Sequence, residues 1–390
     1  MWQTQFLETI NHLKDHNLLR TLTPLDNGAD TTVTIEGKKL LAFCSNNYLG
    51  FANHPKLKAA AIKAIQMFGV GAGASRLISG NSRLYETLEE KIAHIKSCEK
   101  ALVFNSGYTA NIGVLSALIQ KDDLVLCDRL NHASLMEGIK LSDGSLRVYR
   151  HKDMHQLKSL LARRTVNRKA IIVTDGIFSM DGDIAPLPEI VALAEQYDAM
   201  IYLDDAHATG VLGANGNGTC EHFNLHSDRI IQMGTLSKAL GCFGGFVAGS
   251  PLLISYVVNK ARSLIYTTAL PPSVLASALA AFKLIEEEPM HRKRLWDNTT
   301  SVHKSVTALG YNTCDSKTPI VPILVGEADC AIAFSKRLMQ AGIYVPAVRP
   351  PTVPKGQSRL RITLMATHTQ EQIAFLICKL KEIGKALGIL

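Results

Sequence analysis

From about Ala101 onward, short runs of consecutive apolar residues alternate with longer stretches in which apolar residues recur every three or four positions. The short runs are Ala101–Phe104, Leu124–Cys127, Leu146–Tyr149, Ala170–Thr174, Met200–Leu203, Ile230–Met233 and Gly245–Ala248, and they predict strands. Their unbroken apolar character predicts burial on both faces. Amphipathic segments between them, such as Met154–Arg163 and Leu187–Tyr197, predict the covering helices. The pattern is that of a mostly parallel sheet in an α/β domain. His54–Phe68 predicts a further helix, entered through Pro55 near its first turn.

After Pro271-Pro272 the texture changes. Ser273–Glu288 and Met290–Leu309 predict helices, followed by an apolar run at Ile320–Val325 and a helix at Asp329–Gln340. A strand at Arg359–Leu364 and a last helix at Gln370–Leu387 complete a smaller α+β domain. The expected division is a large domain over 51–287 and a small C-terminal domain over 288–390, with the N-terminal segment 1–50 packing beside the latter. The first residues, MWQTQFLETINHLKDH, predict an amphipathic helix and are too charged for a signal peptide or a membrane span.

Composition narrows the function classes. At 390 residues with 47% apolar residues the chain can build a sizeable core. The net charge of +8 is spread rather than blocked, which excludes a nucleic-acid stripe and suits anionic small molecules. The 8 cysteines have neither metal spacing nor a secreted framework, and read as reduced core residues of a cytoplasmic protein.

Ligands of open parallel sheets bind beyond the carboxyl ends of the strands, and here those ends carry chemistry. Asn105-Ser106-Gly107-Tyr108-Thr109-Ala110-Asn111 leads from a strand into a helix whose free N–H groups suit a phosphate, or is an ordinary cap by Asn105 or Ser106. Asp204-Asp205-Ala206-His207 offers a carboxylate for a heteroaromatic nitrogen and a histidine for a ring hydroxyl. Alternatively Asp204 is a structural ion pair, Asp205 a helix cap, or the group a metal site, although no further ligand has matching spacing. His132 in Asn131-His132-Ala133-Ser134 can stack on a ring or be structural. Lys238, in Gly234-Thr235-Leu236-Ser237-Lys238-Ala239-Leu240-Gly241, is a solvated lysine or one that condenses with a carbonyl cofactor. Arg349, in a proline-stiffened loop, is a surface group or a carboxylate partner. Together these residues describe a pyridoxal phosphate site with an amino-acid substrate.

The motifs SGYTAN, NHASL, DGIFSMDGD, DDAHATG and GTLSKALG, in this order, resemble the α-oxoamine synthases, a branch of the aspartate-aminotransferase fold. The resemblance runs from about Asn46 to the C-terminus. It implies a pyridoxal-phosphate-dependent transferase in which Lys238 carries the cofactor, Asp204 pairs with the pyridine nitrogen, and His207 and Ser179 reach the ring hydroxyl. His132 would stack on the ring, and Gly107, Tyr108 and Thr235 would hold the phosphate. Asn46 and Arg349 would bind substrate carboxylate, with Thr352 and Arg20 on the acyl side. The stretches LIYTTALPP, RPPTVP and RLRITL further resemble the members that join L-alanine to pimeloyl-CoA or pimeloyl-acyl-carrier protein in biotin synthesis. Alternatives within the family use glycine and acetyl-CoA, and a remoter one is an aminotransferase. A homodimer with shared sites, and no metal, nucleic acid or membrane, completes the expectation.

Overall fold

The computed structural model describes residues 1–165 and 169–390. The chain divides into two compact units. Unit 1 comprises Met1–Asn46, Met180–Asp183 and Arg294–Leu390, and unit 2 comprises Asn47–Ser179 and Ile184–Lys293. The last division, between Lys293 and Arg294, falls inside one helix, Met290–Ala308.

Unit 1 opens with the helix Trp2–Asp15, which buries none of its residues. The hairpin β1 (Thr32–Ile35) and β2 (Lys38–Ala42) follows, turned by Glu36 and Gly37, both at positive φ. Neither strand is among those the apolar runs predict: both are short, β1 alternates apolar with polar positions, and β2 opens with two lysines.

Unit 2 holds seven strands, in chain order β3 (Lys100–Phe104), β4 (Leu124–Asp128), β5 (Ser145–Tyr149), β6 (Ala170–Asp175), β7 (Met200–Asp204), β8 (Ile230–Thr235) and β9 (Gly245–Gly249). All seven predicted runs are strands of this one sheet, in spatial order β3-β9-β8-β7-β6-β4-β5. Successive side chains of a strand point to opposite faces, and both faces are dry. Val125, Cys127, Ile171, Val173 and Tyr202 enter one core cluster, while Leu124, Leu126, Ala170, Ile172, Ile201 and Leu203 enter the other. Burial on both sides is what made the runs continuous, except in the edge strand β5, where Arg147 and Val148 are exposed. Each fully buried leucine here contributes roughly 1.5–3 kcal/mol. The exception to parallel pairing is β9, antiparallel to both β3 and β8. Helix Pro55–Phe68 begins at the expected proline, with the His54 side chain accepting from the Lys56 N–H as its cap.

The remaining strands of unit 1 are β10 (Ile320–Gly326), β11 (Ile343–Tyr344), β12 (Ala347–Val348) and β13 (Ser358–Thr363). They form the sheets β10-β13-β12 and β1-β2-β11, with helices Ala328–Gln340 and Gln370–Ala386. The segment Met180–Asp183 joins this unit through Arg359, whose Nη1 donates to Asp181 Oδ1 at 2.7 Å, and through Ser316 and Thr318, whose hydroxyls donate to the Gly182 carbonyl.

The cysteines depart from expectation in one respect. All eight are free thiols, but Cys127 and Cys220 alone are fully buried, while Cys330 and Cys378 lie exposed on the outer faces of their helices. No helix among the described residues is long and apolar enough to cross a membrane.

His368 is buried in unit 1 as a neutral ring. Its Nδ1 accepts from the Met365 N–H at 2.9 Å, its Nε2 lies 3.0 Å from the Ala42 carbonyl, and the ring stacks on Phe43. Burial lowers its pKa to about 4. The unfolded chain, near 6.5, binds the proton more readily, so this contribution to stability is complete above about pH 6.5 and is lost as pH falls toward 4. The difference corresponds to about 3 kcal/mol. Chemical denaturation at pH 7 and pH 4.5 should show H368N losing less stability over that interval than the parent chain; equal losses would disprove the assignment.

Candidate functional site

The carboxyl ends of β3, β4, β6, β7 and β8 supply a single cluster within unit 2. Asp204 ends β7, opposite Asp175 at the end of β6. Both are buried. Asp204 Oδ2 accepts from Asn111 Nδ2 at 2.7 Å and Oδ1 from the Ala206 N–H at 2.9 Å. Asn111 is in turn fixed by Tyr202, whose hydroxyl donates to its Oδ1 at 3.0 Å, and its Nδ2 also donates to Ser134 Oγ at 2.8 Å. Ser134 lies 2.7 Å from His132 Nδ1, so one chain of hydrogen bonds runs from Asp204 to the histidine. Asp175 Oδ2 accepts from the His132 N–H at 2.7 Å, which holds that residue's backbone as well.

Electrostatics follow from this crowding. Burial, and then the neighbouring Asp204, push Asp175 well above the usual carboxylate range. Burial also lowers the pKa of His132, against the pull of Asp204 and with the help of Lys238. The neutral form of the ring is therefore favoured. The Lys238 cation is near enough to act on both His132 and Asp175, lowering the pKa of each.

Lys238 sits in the loop joining β8 to β9. Leu236 N–H donates to the Gly244 carbonyl, Cys242 N–H to Leu236 and Gly241 N–H to Lys238, each at 2.9 Å. Gly241 has φ 65°, and a Cβ there would stand 2.2 Å from the Ala52 nitrogen, so the loop requires glycine. Thr235 Oγ1 donates to the Gly244 carbonyl at 2.8 Å.

Helix Gly107–Leu118 starts beside it, with Ser106 and Thr109 forming a reciprocal capping box. The alternative of an ordinary cap is thus realised by Ser106, yet it leaves the first N–H groups of Gly107 and Tyr108 outside the box. Gly245 lies across from both Thr235 and Phe104 in the sheet, and a Cβ on it would come within 2.6 Å of the Gly107 nitrogen. A Cβ on Gly107 would face Thr235 Cβ at 3.5 Å. Two small residues thus let the helix N-terminus settle against the end of β9 next to Thr235. Tyr108 is exposed and Ser179 follows the end of β6.

His207 is buried, with Nδ1 2.6 Å from the Tyr48 hydroxyl. The ion pair considered for Asp204 belongs instead to Asp205. Its Oδ2 meets Lys96 Nζ at 2.9 Å with both side chains fully buried, and the Thr219 hydroxyl donates to Oδ1 at 2.6 Å. Asp205 is structural, and Asp204 stays available on the site side.

Unit 1 gathers the other candidates. Arg20 Nη2 donates to Thr352 Oγ1 at 3.1 Å, pairing the two residues expected on the acyl side. Arg349 donates to the carbonyls of Asn17 and Leu19. Asn46 Oδ1 accepts from Arg361 Nη1 at 3.0 Å.

Sequence reasoning missed Asn111, Asp175, Tyr48 and Arg361 as members of these clusters. Asn111 had a readable signal: it is a polar residue on the same helical face as Val114 and Leu115, both fully buried. Asp175, Tyr48 and Arg361 are set by long-range pairing and carried no such mark.

Comparison with known proteins identifies the family. Residues 38–380 match the family model for aminotransferase class I and II. The 8-amino-7-oxononanoate synthase of Geobacter sulfurreducens is 47% identical over 97% of this chain and 98% of its own, and that of Thermoanaerobacter pseudethanolicus is 44% identical over 98% and 97%. A serine palmitoyltransferase structure with pyridoxal phosphate superposes with a TM-score of 0.94 at 30% identity, covering 99% of this chain and 98% of that one. The 8-amino-7-oxononanoate synthase of Francisella tularensis superposes at 0.77 with 30% identity, covering 89% and 98%. The chain belongs to the class I and II aminotransferase family and, within it, to the 8-amino-7-oxononanoate synthases of the α-oxoamine synthase group.

Proposed function

We propose that the chain condenses L-alanine with pimeloyl-CoA or pimeloyl-acyl-carrier protein, with loss of carbon dioxide, to give 8-amino-7-oxononanoate for biotin synthesis. It is an acyltransferase and its cofactor is pyridoxal phosphate. The observation that carries the reading is the cluster of Lys238, Asp204, His132 and the Gly107 helix start within one unit. The fit to the cofactor rests on its donor set: a buried carboxylate for a pyridinium, a neutral imidazole for a ring face, and an amine and the Gly107 helix start for aldehyde and phosphate.

Bound there, the cofactor supplies an electrophilic aldehyde and a ring that accepts the electron pair released at the amino acid's Cα. Lys238 would hold the cofactor through its aldehyde, and its amine would serve as the general base for the Cα proton of alanine. Asp204, kept in place by Asn111, holds the pyridine nitrogen protonated. His132 covers the ring face, while Ser179 and His207, the latter oriented by Tyr48, hold the ring hydroxyl. Gly107, Tyr108 and Thr235 hold the phosphate. Asn46 and Arg349 hold the substrate carboxylate, and Thr352 and Arg20 lie along the acyl donor. In the net reaction Cα bonds the thioester carbonyl carbon, the thiolate departs, the carboxylate leaves as carbon dioxide, and a proton takes its place on Cα.

A homodimer accompanies this reading. Val70, Leu77 and Ile78 are each more than half exposed beside the glycine-rich Gly69–Gly73, an apolar surface suited to a second copy. The free thiols suit a cytoplasmic location.

Purified protein with pyridoxal phosphate, given alanine, glycine or serine with pimeloyl-, acetyl- or palmitoyl-CoA, should yield the mass of 8-amino-7-oxononanoate from alanine and pimeloyl-CoA alone; a preference for another pair would overturn the substrate assignment. Lys238→Ala should retain cofactor absorbance while turnover falls at least about 1,000-fold, and substantial residual turnover would remove the lysine from its role. Asp204→Asn keeps the side chain's shape but not its charge, and kcat should fall about 100-fold or more with the fold unchanged by circular dichroism. Arg20→Ala and Thr352→Ala should each raise the KM for the acyl donor, and the double variant should do little more than either; fully multiplicative effects would show that their hydrogen bond does not act as a unit.

A further inference from the structure

A second cluster of ligating groups lies in unit 2, outside the cofactor residues. His54 caps the helix Pro55–Phe68, Glu288 ends the helix Pro272–Glu287 as its C-cap, and His291 stands in the first turn of Met290–Ala308. One ligand atom from each lies within 4.8 Å of the other two. His291 Nε2 is already 3.0 Å from Glu288 Oε2, and the two imidazoles meet edge to face at 5.8 Å between centroids. Phe51 packs against both rings and limits their movement.

From this geometry we propose that His54, Glu288 and His291 form a binding site for a divalent transition metal, of which zinc is the representative. Two imidazoles and one carboxylate are the donor set of many such ions, and the site keeps an open position for water. A tetrahedral zinc holds its ligands roughly 3.3 Å apart, so the set must close by about 1.5 Å at most. That movement is available to three side chains at helix ends, none of them fully buried. Glu288 divides its oxygens: Oε1 accepts from Lys56 Nζ at 2.6 Å, leaving Oε2 on the histidine side. Lys56 is thus a built-in competitor, because its charge opposes the incoming cation.

The site has a reason to matter. His54 lies three residues beyond Phe51, in the segment that also carries Tyr48, the partner of His207, and that packs against Gly241 of the lysine loop. A metal at His54 would tie this segment to the ends of two helices.

The test titrates the chelator-treated holoenzyme with zinc chloride at pH 7.5, and with cobalt chloride for its ligand-field spectrum. We expect one zinc per chain at this site, a cobalt spectrum without thiolate charge transfer, and binding at least tenfold weaker in H54A and in E288Q. Lys56→Met should bind zinc several-fold more tightly, and because Lys56 is half-exposed this variant reads the site even where H54A fails to fold. Equal affinity in the parent chain, E288Q and K56M, or a cobalt spectrum dominated by thiolate, would overturn the proposal.

Discussion

The site depends on one buried hydrogen bond, from the Asn111 amide to Asp204. A carboxylate removed from water must be compensated by donors. Here one donor is a side chain from a helix that starts at the sheet edge, and another is the Ala206 backbone. Tyr202 then satisfies the other end of the amide, from the strand that carries Asp204 itself. Strand, helix and histidine loop are locked to one another through a single asparagine. Its loss would leave a buried carboxylate lacking its amide partner, a change in charge balance as well as in shape.

The neighbouring aspartates show how adjacent residues in one motif divide their labour. Asp204 and Asp205 leave the strand toward different surroundings. Asp205 is spent on Lys96 and Thr219, an arrangement in which both charges are fully buried and neither is spare. Breaking such a pair typically costs about 3–5 kcal/mol, so its role is to fix the strand end. In the motif DDAHATG, Asp205 is therefore the anchor, while Asp204 is the carboxylate held by Asn111.

The strands of the large sheet were legible because all but the edge strand β5 are buried on both faces, which writes burial into consecutive residues. The β1–β2 hairpin was not, since β1 offers only four alternating residues and β2 only three apolar ones after two lysines. The reversed direction of β9 has no periodic signature at all: a strand reads the same in either sense. Lys238, Asp204 and His132 were legible as a combination of residue types at strand ends. Asp175 was not, because its importance comes from lying opposite Asp204 across the sheet, a relation between residues far apart in sequence.

That reversal of β9 also separates two timescales. The lysine loop closes between adjacent antiparallel strands over nine residues, held by its own backbone bonds. The carboxylates at the ends of β6 and β7 come together through parallel pairing, whose helical crossovers must be gathered first. Local closures are entropically cheap and fast, and long-range pairings are slow. The lysine lies on a local hairpin closure, whereas the paired aspartates meet only once β6 and β7 have joined across a helical crossover.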